Sequence, residues 1–158
     1  MHCVDKKGKP FEVKRYSHGD YAFLEAMYMS FYPKGKFQGM PPLTDDASRK
    51  WIDGLLKKGE NFLAWQDGET VGHVAVLPDF DKYDGEYLIF VSHPNRGRGI
   101  GSELTRLMLQ HVKTLGLELI WLVVGTTNIP AIGLYKKFGF TFCEQDIIES
   151  ERQMILRL

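Results

Sequence analysis

The run Arg96-Gly97-Arg98-Gly99-Ile100-Gly101 sets three glycines at alternate positions beside two arginines, immediately ahead of an amphipathic stretch. Without Cβ atoms the main chain can turn successive N–H groups toward one anion, and a helix starting there adds its positive end. The chemistry served is the holding of a phosphate or diphosphate. Two familiar phosphate loops do not fit. A dinucleotide loop needs Gly-x-Gly-x-x-Gly and a neighbouring strand that carries a ribose-binding acid about 20 positions on, and neither pattern is met. A P-loop needs Gly-Lys-Ser/Thr, whereas Ser102 and Glu103 follow Gly101 directly.

A second segment, Asn128-Ile129-Pro130-Ala131-Ile132-Gly133-Leu134-Tyr135-Lys136-Lys137-Phe138-Gly139-Phe140, follows the loop at a fixed remove. With Arg96-x-x-Gly99-x-Gly101 it matches a pair of motifs, Arg-x-x-Gly-x-Gly and Asn-x-x-Ala-x-x-Leu-Tyr-x-x-x-Gly-Phe. On these residues, which span 86–140, the chain resembles the acetyl-CoA-dependent GNAT N-acetyltransferase superfamily. The resemblance implies a mixed α/β sheet of six to seven strands with about four helices, splayed between the fourth and fifth strands, which end at Val91 and Val124. Pantetheine would lie in that opening, bonded strand-fashion to the main chain around Phe90, Val91 and Ser92. The pyrophosphate would take the amides of Arg96, Gly97, Arg98, Gly99, Ile100 and Gly101, and the Ser102 hydroxyl. One departure is visible: Pro94 stands three residues after Val91, where the family has two.

Acetyl transfer needs a neutral amine, a stabilised oxyanion and a proton for the departing thiolate. The resemblance places Tyr135 beside the sulfur, and a phenol of pKa about 10 suits thiolate protonation. Glu86 is the candidate general base, its face depending on whether its strand carries a bulge; a water relay is the alternative. Asn128 can cap the second motif's helix, and the resemblance also sets it against the pantetheine. His73, His93 and His111 read as sheet, surface and packing residues respectively. Cys143 has no evident activating base, so direct transfer through a ternary complex is expected rather than a covalent route.

These residues must be carried by a particular order of elements. Phe11 to Ser17 alternates as a strand, and Asp20 opens a helix bearing Phe23, Leu24, Met27 and Phe31. Residues 31–43 form an irregular loop. Thr44 or Asp45 starts a helix with Ala47, Trp51 and Leu55 on one face, ending at Gly59. Asn61–Gln66 and Val71–Leu77 form a hairpin about Asp67-Gly68, and Glu86–Ser92 follows as a strand. The helix after the glycine loop carries Ile100, Leu104, Leu107, Met108, His111 and Leu115. Leu117–Val124 is a central strand, Asn128–Phe138 a short helix, and Phe140–Ile148 and Gln153–Leu158 two closing strands. Residues 1–9, rich in lysine, are expected to be a loose end.

The 158 residues fit one N-acetyltransferase domain covering the whole chain. Twenty Lys and Arg balance twenty Asp and Glu, so no overall field draws nucleic acid or an anionic membrane. Cys3 and Cys143 are too few for a disulfide framework and lack metal-ligand spacing, so no metal is expected. The start, MHCVDKKGKP, has no apolar segment, and the longest apolar run, Leu119 to Val124, is far too short to span a bilayer. A cytoplasmic enzyme is expected, acting on a primary amine of a small molecule or peptide, with a homodimer left open. The acidic turn Pro78–Glu86 and the aromatics Tyr28, Phe31, Tyr32 and Phe37 are candidates for the acceptor side, each equally explained by packing or solvation. A catalytically silent acyl-CoA-binding sensor is the competing class; Tyr135 in an intact motif argues against it.

Overall fold

Alternating apolar residues separated by tight turns build the first half of the chain into consecutive antiparallel strands. His2–Val4 (β1), Pro10–Arg15 (β2), Glu60–Gln66 (β3), Glu69–Asp79 (β4) and Asp84–Val91 (β5) pair in chain order. Leu119–Gly125 (β6) joins β5 in parallel, and Thr141–Phe142 (β7) and Glu151–Arg157 (β8) complete an eight-stranded sheet ordered β1-β2-β3-β4-β5-β6-β8-β7. Four helices cover it: Tyr21–Met29 (α1), Asp45–Lys58 (α2), Ile100–Thr114 (α3) and Ile129–Lys137 (α4). This computed structural model describes residues 1–35, 40–144 and 150–158; Phe37 and residues 145–148 of the expected strand Phe140–Ile148 lie outside them.

The two faces of the sheet bury separate cores. Leu24, Met27 and Tyr28 of α1 and Ile52 and Leu55 of α2 pack on Leu63, Ala75, Leu88 and Phe90. On the other face, Ile100, Leu104 and Met108 of α3 and Ile132 and Tyr135 of α4 pack on Val74, Val76, Tyr87 and Ile120. The β5–α3–β6 crossover therefore sits wholly on the second face.

The first nine residues are not a loose end. Cys3 pairs with Phe11 across β1 and β2, and the Met1 ammonium donates to the Val13 carbonyl at 2.8 Å. The Asp5 carboxylate accepts from the amides of Lys7 and Lys9, both at 2.9 Å, closing the turn from its own side chain. That turn supplies the strand beyond the six to seven expected. Phe23, expected on the buried face of α1, is 47% exposed and meets Trp65 edge-on. Ala47 and Trp51 line a cavity, while Ser48, Ile52 and Leu55 form the buried face of α2.

Candidate active site

The sheet opens where β5 and β6 part. Their parallel pairing consists of Asp84↔Leu119, Gly85↔Ile120 and Glu86↔Trp121. Beyond it β5 runs on to Val91, while β6 stays paired with β8 through Gly125. Across β4 and β5 the register is unbroken from Gly72↔Val91 to Asp79↔Asp84, so β5 carries no bulge there. The Ser92 amide donates to Val71 O at 2.9 Å. Strand alternation then turns the main chain of Phe90 and Leu88 toward β4, and that of Ile89 and Val91 toward the gap. The Val91 carbonyl is engaged by Arg96 Nε at 2.8 Å, which leaves the Ile89 and Val91 amides as the donors facing the opening.

Two of the sequence candidates are turned elsewhere. The Phe90 ring is buried edge-on against Tyr28, Phe31 and Trp51. The Ser92 hydroxyl lies 2.8 Å from Asn95 Oδ1 and 3.2 Å from Val71 O. Ile89, which the sequence reading passed over, takes their place at the gap. Only the strand parity fixed by a neighbouring hydrogen bond reveals this.

After a short turn at His93–Asn95, the glycine loop delivers α3 to the open end of β5. Gly97 and Gly99 have φ of 72° and 91°, in the left-handed region, and Gly99 caps the helix. A Cβ on Gly101 would come within 3.4 Å of Leu134 Cδ2, so this glycine lets α3 and α4 close on each other. The first-turn amides of α3 have no intrahelical acceptors and point out of the helix end. Such a cradle fits a diphosphate.

The flanking arginines build this loop. Arg96 reaches the Val91 and Tyr32 carbonyls, the latter at 2.6 Å, and lies over the Phe31 ring. Arg98 runs inward beside buried Asp5, 3.8 Å from its carboxylate, and its main chain accepts from Lys6 N–H at 2.9 Å. The Lys9 amide, with Gln66, the Lys7 amide and Arg98, holds the Asp5 carboxyl below the usual carboxylate range. Asp5 thus ties the N-terminal turn to the cradle. Its signal was the Asp-x-x-Gly turn pattern at residues 5–8. On the cradle's outer side, Lys137 Nζ donates to Ser102 Oγ at 3.1 Å.

The two candidate catalytic side chains stand on opposite faces of the sheet. Tyr135 is 8% exposed, edge-on to Tyr87 with ring centres 6.0 Å apart, in the core beneath α3 and α4. Burial raises its pKa well above the ordinary tyrosine range, so the hydroxyl keeps its proton. Tyr87 hydrogen-bonds Thr105 at 2.6 Å, and Thr105 returns to Gly101 O at 2.7 Å, which braces the ring under the first turn of α3. Glu86 shares strand parity with Leu88 and Phe90 and faces α2. There it lines a cavity of about 870 Å³ with Trp51, Leu55, Lys58, Leu77 and Leu88. The parallel pairing of β5 and β6 ends at Glu86, directly beside this cavity. Asn128 caps α4, accepting from Ala131 N at 3.4 Å.

The remaining candidates are structural. His73 is fully buried between Tyr28 Oη (2.6 Å) and Asn61 Oδ1 (2.8 Å). Asn61 spends its amide hydrogens on the Leu55 and Gly59 carbonyls, so His73 Nε2 donates to Oδ1 and Tyr28 donates to Nδ1. His111 lies 2.6 Å from Glu60 and edge-on to Phe62, and His93 is exposed beside Arg96. Cys143 lies 3.8 Å from Gln153 Oε1, with no base beside it among the described residues. Asp79 accepts from the amides of Asp81 and Lys82, and Phe80 and Tyr83 are each 56% exposed, so the acidic turn is a solvated hairpin end. Of its carboxylates only Glu86 lines the cavity. Tyr28 and Phe31 are buried in the α1 core, and Tyr32 is 70% exposed. Among the described residues no cluster of His, Cys, Asp and Glu is placed to hold a metal, and no helix is long and apolar enough to cross a membrane.

A glycine-capped helix start thus stands beside a parallel strand pair that parts. The profile described as "Acetyltransferase (GNAT) family" matches residues 21–140, and the chain belongs to that family. It is 33% identical over 92 residues to a mycothiol acetyltransferase of Corynebacterium glutamicum, covering 58% of this chain and 32% of that protein. The chain thus spans about a third of that relative's length. In structure it resembles the GNAT domain of S. lividans PAT (TM-score 0.78, 15% identity, 100% of this chain and 96% of that one). It also resembles ribosomal-protein-alanine N-acetyltransferase of Brucella melitensis (TM-score 0.71, 16% identity, 93% and 99%).

Proposed function

We propose that this protein transfers the acetyl group of acetyl-CoA directly to a primary amine, within a complex of enzyme and both substrates. The observation that carries the reading is the gap itself. Main-chain donors of Ile89 and Val91 face it, the α3 cradle stands at its open end, and Tyr135 and Glu86 lie on the two faces of the sheet beside it. The diphosphate occupies the amides of residues 97–101, the Arg96 amide being given to the His93 carbonyl, and Asn128 and the gap edge of β5 hold the pantetheine arm.

The amine enters from the α2 face and loses a proton to Glu86, directly or through one water, because an amine of pKa about 10 is mostly protonated at neutral pH. Its lone pair attacks the thioester carbonyl, forming the N–C bond. The oxyanion is met by the β5 amides. The C–S bond then breaks, the thiolate takes the Tyr135 proton, and the nitrogen's second proton, strongly acidic once the nitrogen is acylated, returns to the Tyr135 oxygen while Glu86 releases the first to solvent. Free cysteines at Cys3 and Cys143 accord with a cytoplasmic setting.

The relatives' names cover both a small-molecule and a protein acceptor, and the apolar cavity of about 870 Å³ beside Glu86 offers a small amine room to lie against it. An acetyl-CoA-dependent thiol-release screen across amines, amino acids and peptides tests this. Release with at least one amine supports transfer. Tight acetyl-CoA binding with silence across all classes would instead indicate an acyl-CoA-binding sensor.

A further inference from the structure

The cavity beside Glu86 has a wall of unusual composition. Trp51, Leu55, Leu77 and Leu88 make it apolar, and its charged residues among those described are one acid, Glu86, and one base, Lys58. Asp79 of the neighbouring turn is committed to its own hairpin and to Lys82. A ligand carrying two or more positive charges needs several carboxylates around it. Here a second ammonium would meet hydrocarbon or Lys58.

The same wall contains Gly54, well inside α2. Glycine is among the least favourable residues in a helix interior. A Cβ there would meet nothing within 4 Å among the described residues, so none of them needs the close approach. The buried face of α2 is formed by Ser48, Ile52 and Leu55 instead. The missing side chain leaves this point of the cavity wall uncovered by any described residue.

We propose that the acceptor is a primary amine on one apolar body with no second positive charge, lying across Gly54 against Trp51 and Leu88 with its nitrogen toward Glu86. The inference rests on the amine-transfer reading above and names the class of acceptor for that site.

Steady-state kinetics with acetyl-CoA and three acceptors, phenethylamine, ethylamine and spermidine, test it on wild type and on Gly54→Ala and Gly54→Phe. Wild type should show kcat/KM for phenethylamine at least tenfold above that for spermidine. Gly54→Phe should raise the phenethylamine KM at least tenfold, with the acetyl-CoA KM and the ethylamine rate within twofold of wild type. Gly54→Ala, which helix propensity protects from misfolding, should lie between them. A preference for spermidine, or an unchanged phenethylamine KM in both variants, overturns the inference and leaves the transfer reading standing. Thiol release from no amine overturns the transfer reading, and the inference with it.

Discussion

Acid should loosen this fold through one buried side chain. His73 is fully buried between Tyr28 and Asn61, and burial alone lowers its pKa from 6.5 to about 3. The unfolded chain therefore binds a proton that the folded one refuses across that interval, so stability falls as pH drops below 6.5 and is fully present above it. For one such group, lowering pH from 7 to 5 costs about 2 kcal/mol, or a fall in Tm of about 4–8 °C for a chain of this size. Asp5, Asp79 and Glu103, whose carboxyls are held below their ordinary values, lose their contributions only at lower pH. The assay is thermal melting by circular dichroism at pH 7, 6 and 5 for wild type and His73→Gln. The variant should melt lower at pH 7 yet show little of the wild-type slope. A wild-type Tm that stays flat over this range, or an equal slope in the variant, refutes the assignment of the tautomer and the burial argument together.

Two further outcomes follow from the site. Tyr135→Phe should lower kcat by about a hundredfold, the scale of a lost general acid, with acetyl-CoA affinity unchanged by calorimetry; unaltered turnover removes Tyr135 from the mechanism. Glu86→Gln should lower kcat/KM for the amine at neutral pH by about a hundredfold and recover part of the loss as pH approaches the amine's own pKa. A loss that stays constant with pH would mean that Glu86 only positions the acceptor.

The central elements were legible because their signals are local. Glycines at 97, 99 and 101 predicted a turn into a helix, and two of them adopt positive φ there. The run from Leu117 to Val124 predicted a strand covered on both faces; β6 is a strand there, but only Ile120, Leu122 and Val124, on the face of α3 and α4, are buried, and the alternate residues are half-buried. What escaped depends on pairing across the chain. The lysines of residues 1–9 concealed a turn closed by Asp5, whose partners Gln66 and Arg98 are distant in sequence. The arginines at 96 and 98 carry no signal of the groups they meet: Val91 O and Tyr32 O for the first, Gln66 Oε1 at 3.5 Å and Asp5 at 3.8 Å for the second. The face of Glu86 could not be read from spacing, because one bulge in β5 would reverse it; the unbroken β4–β5 register sets it toward α2. The role of Gly54 was invisible for the same reason, since a helical glycine announces no neighbour until the space around it is known.

The cradle is the point on which the rest depends, and calorimetric titration of acetyl-CoA into wild type and Gly99→Val measures it directly. A β-branched residue cannot hold the φ of 91° at this helix cap without strain of about 1–2 kcal/mol, and relieving that strain would turn the loop amides that receive the diphosphate. Saturable heat with wild type, and binding at least tenfold weaker in a variant that keeps its wild-type circular dichroism, is the predicted result. Equal affinity in the two proteins, or no heat from wild type at millimolar acetyl-CoA, would contradict the account.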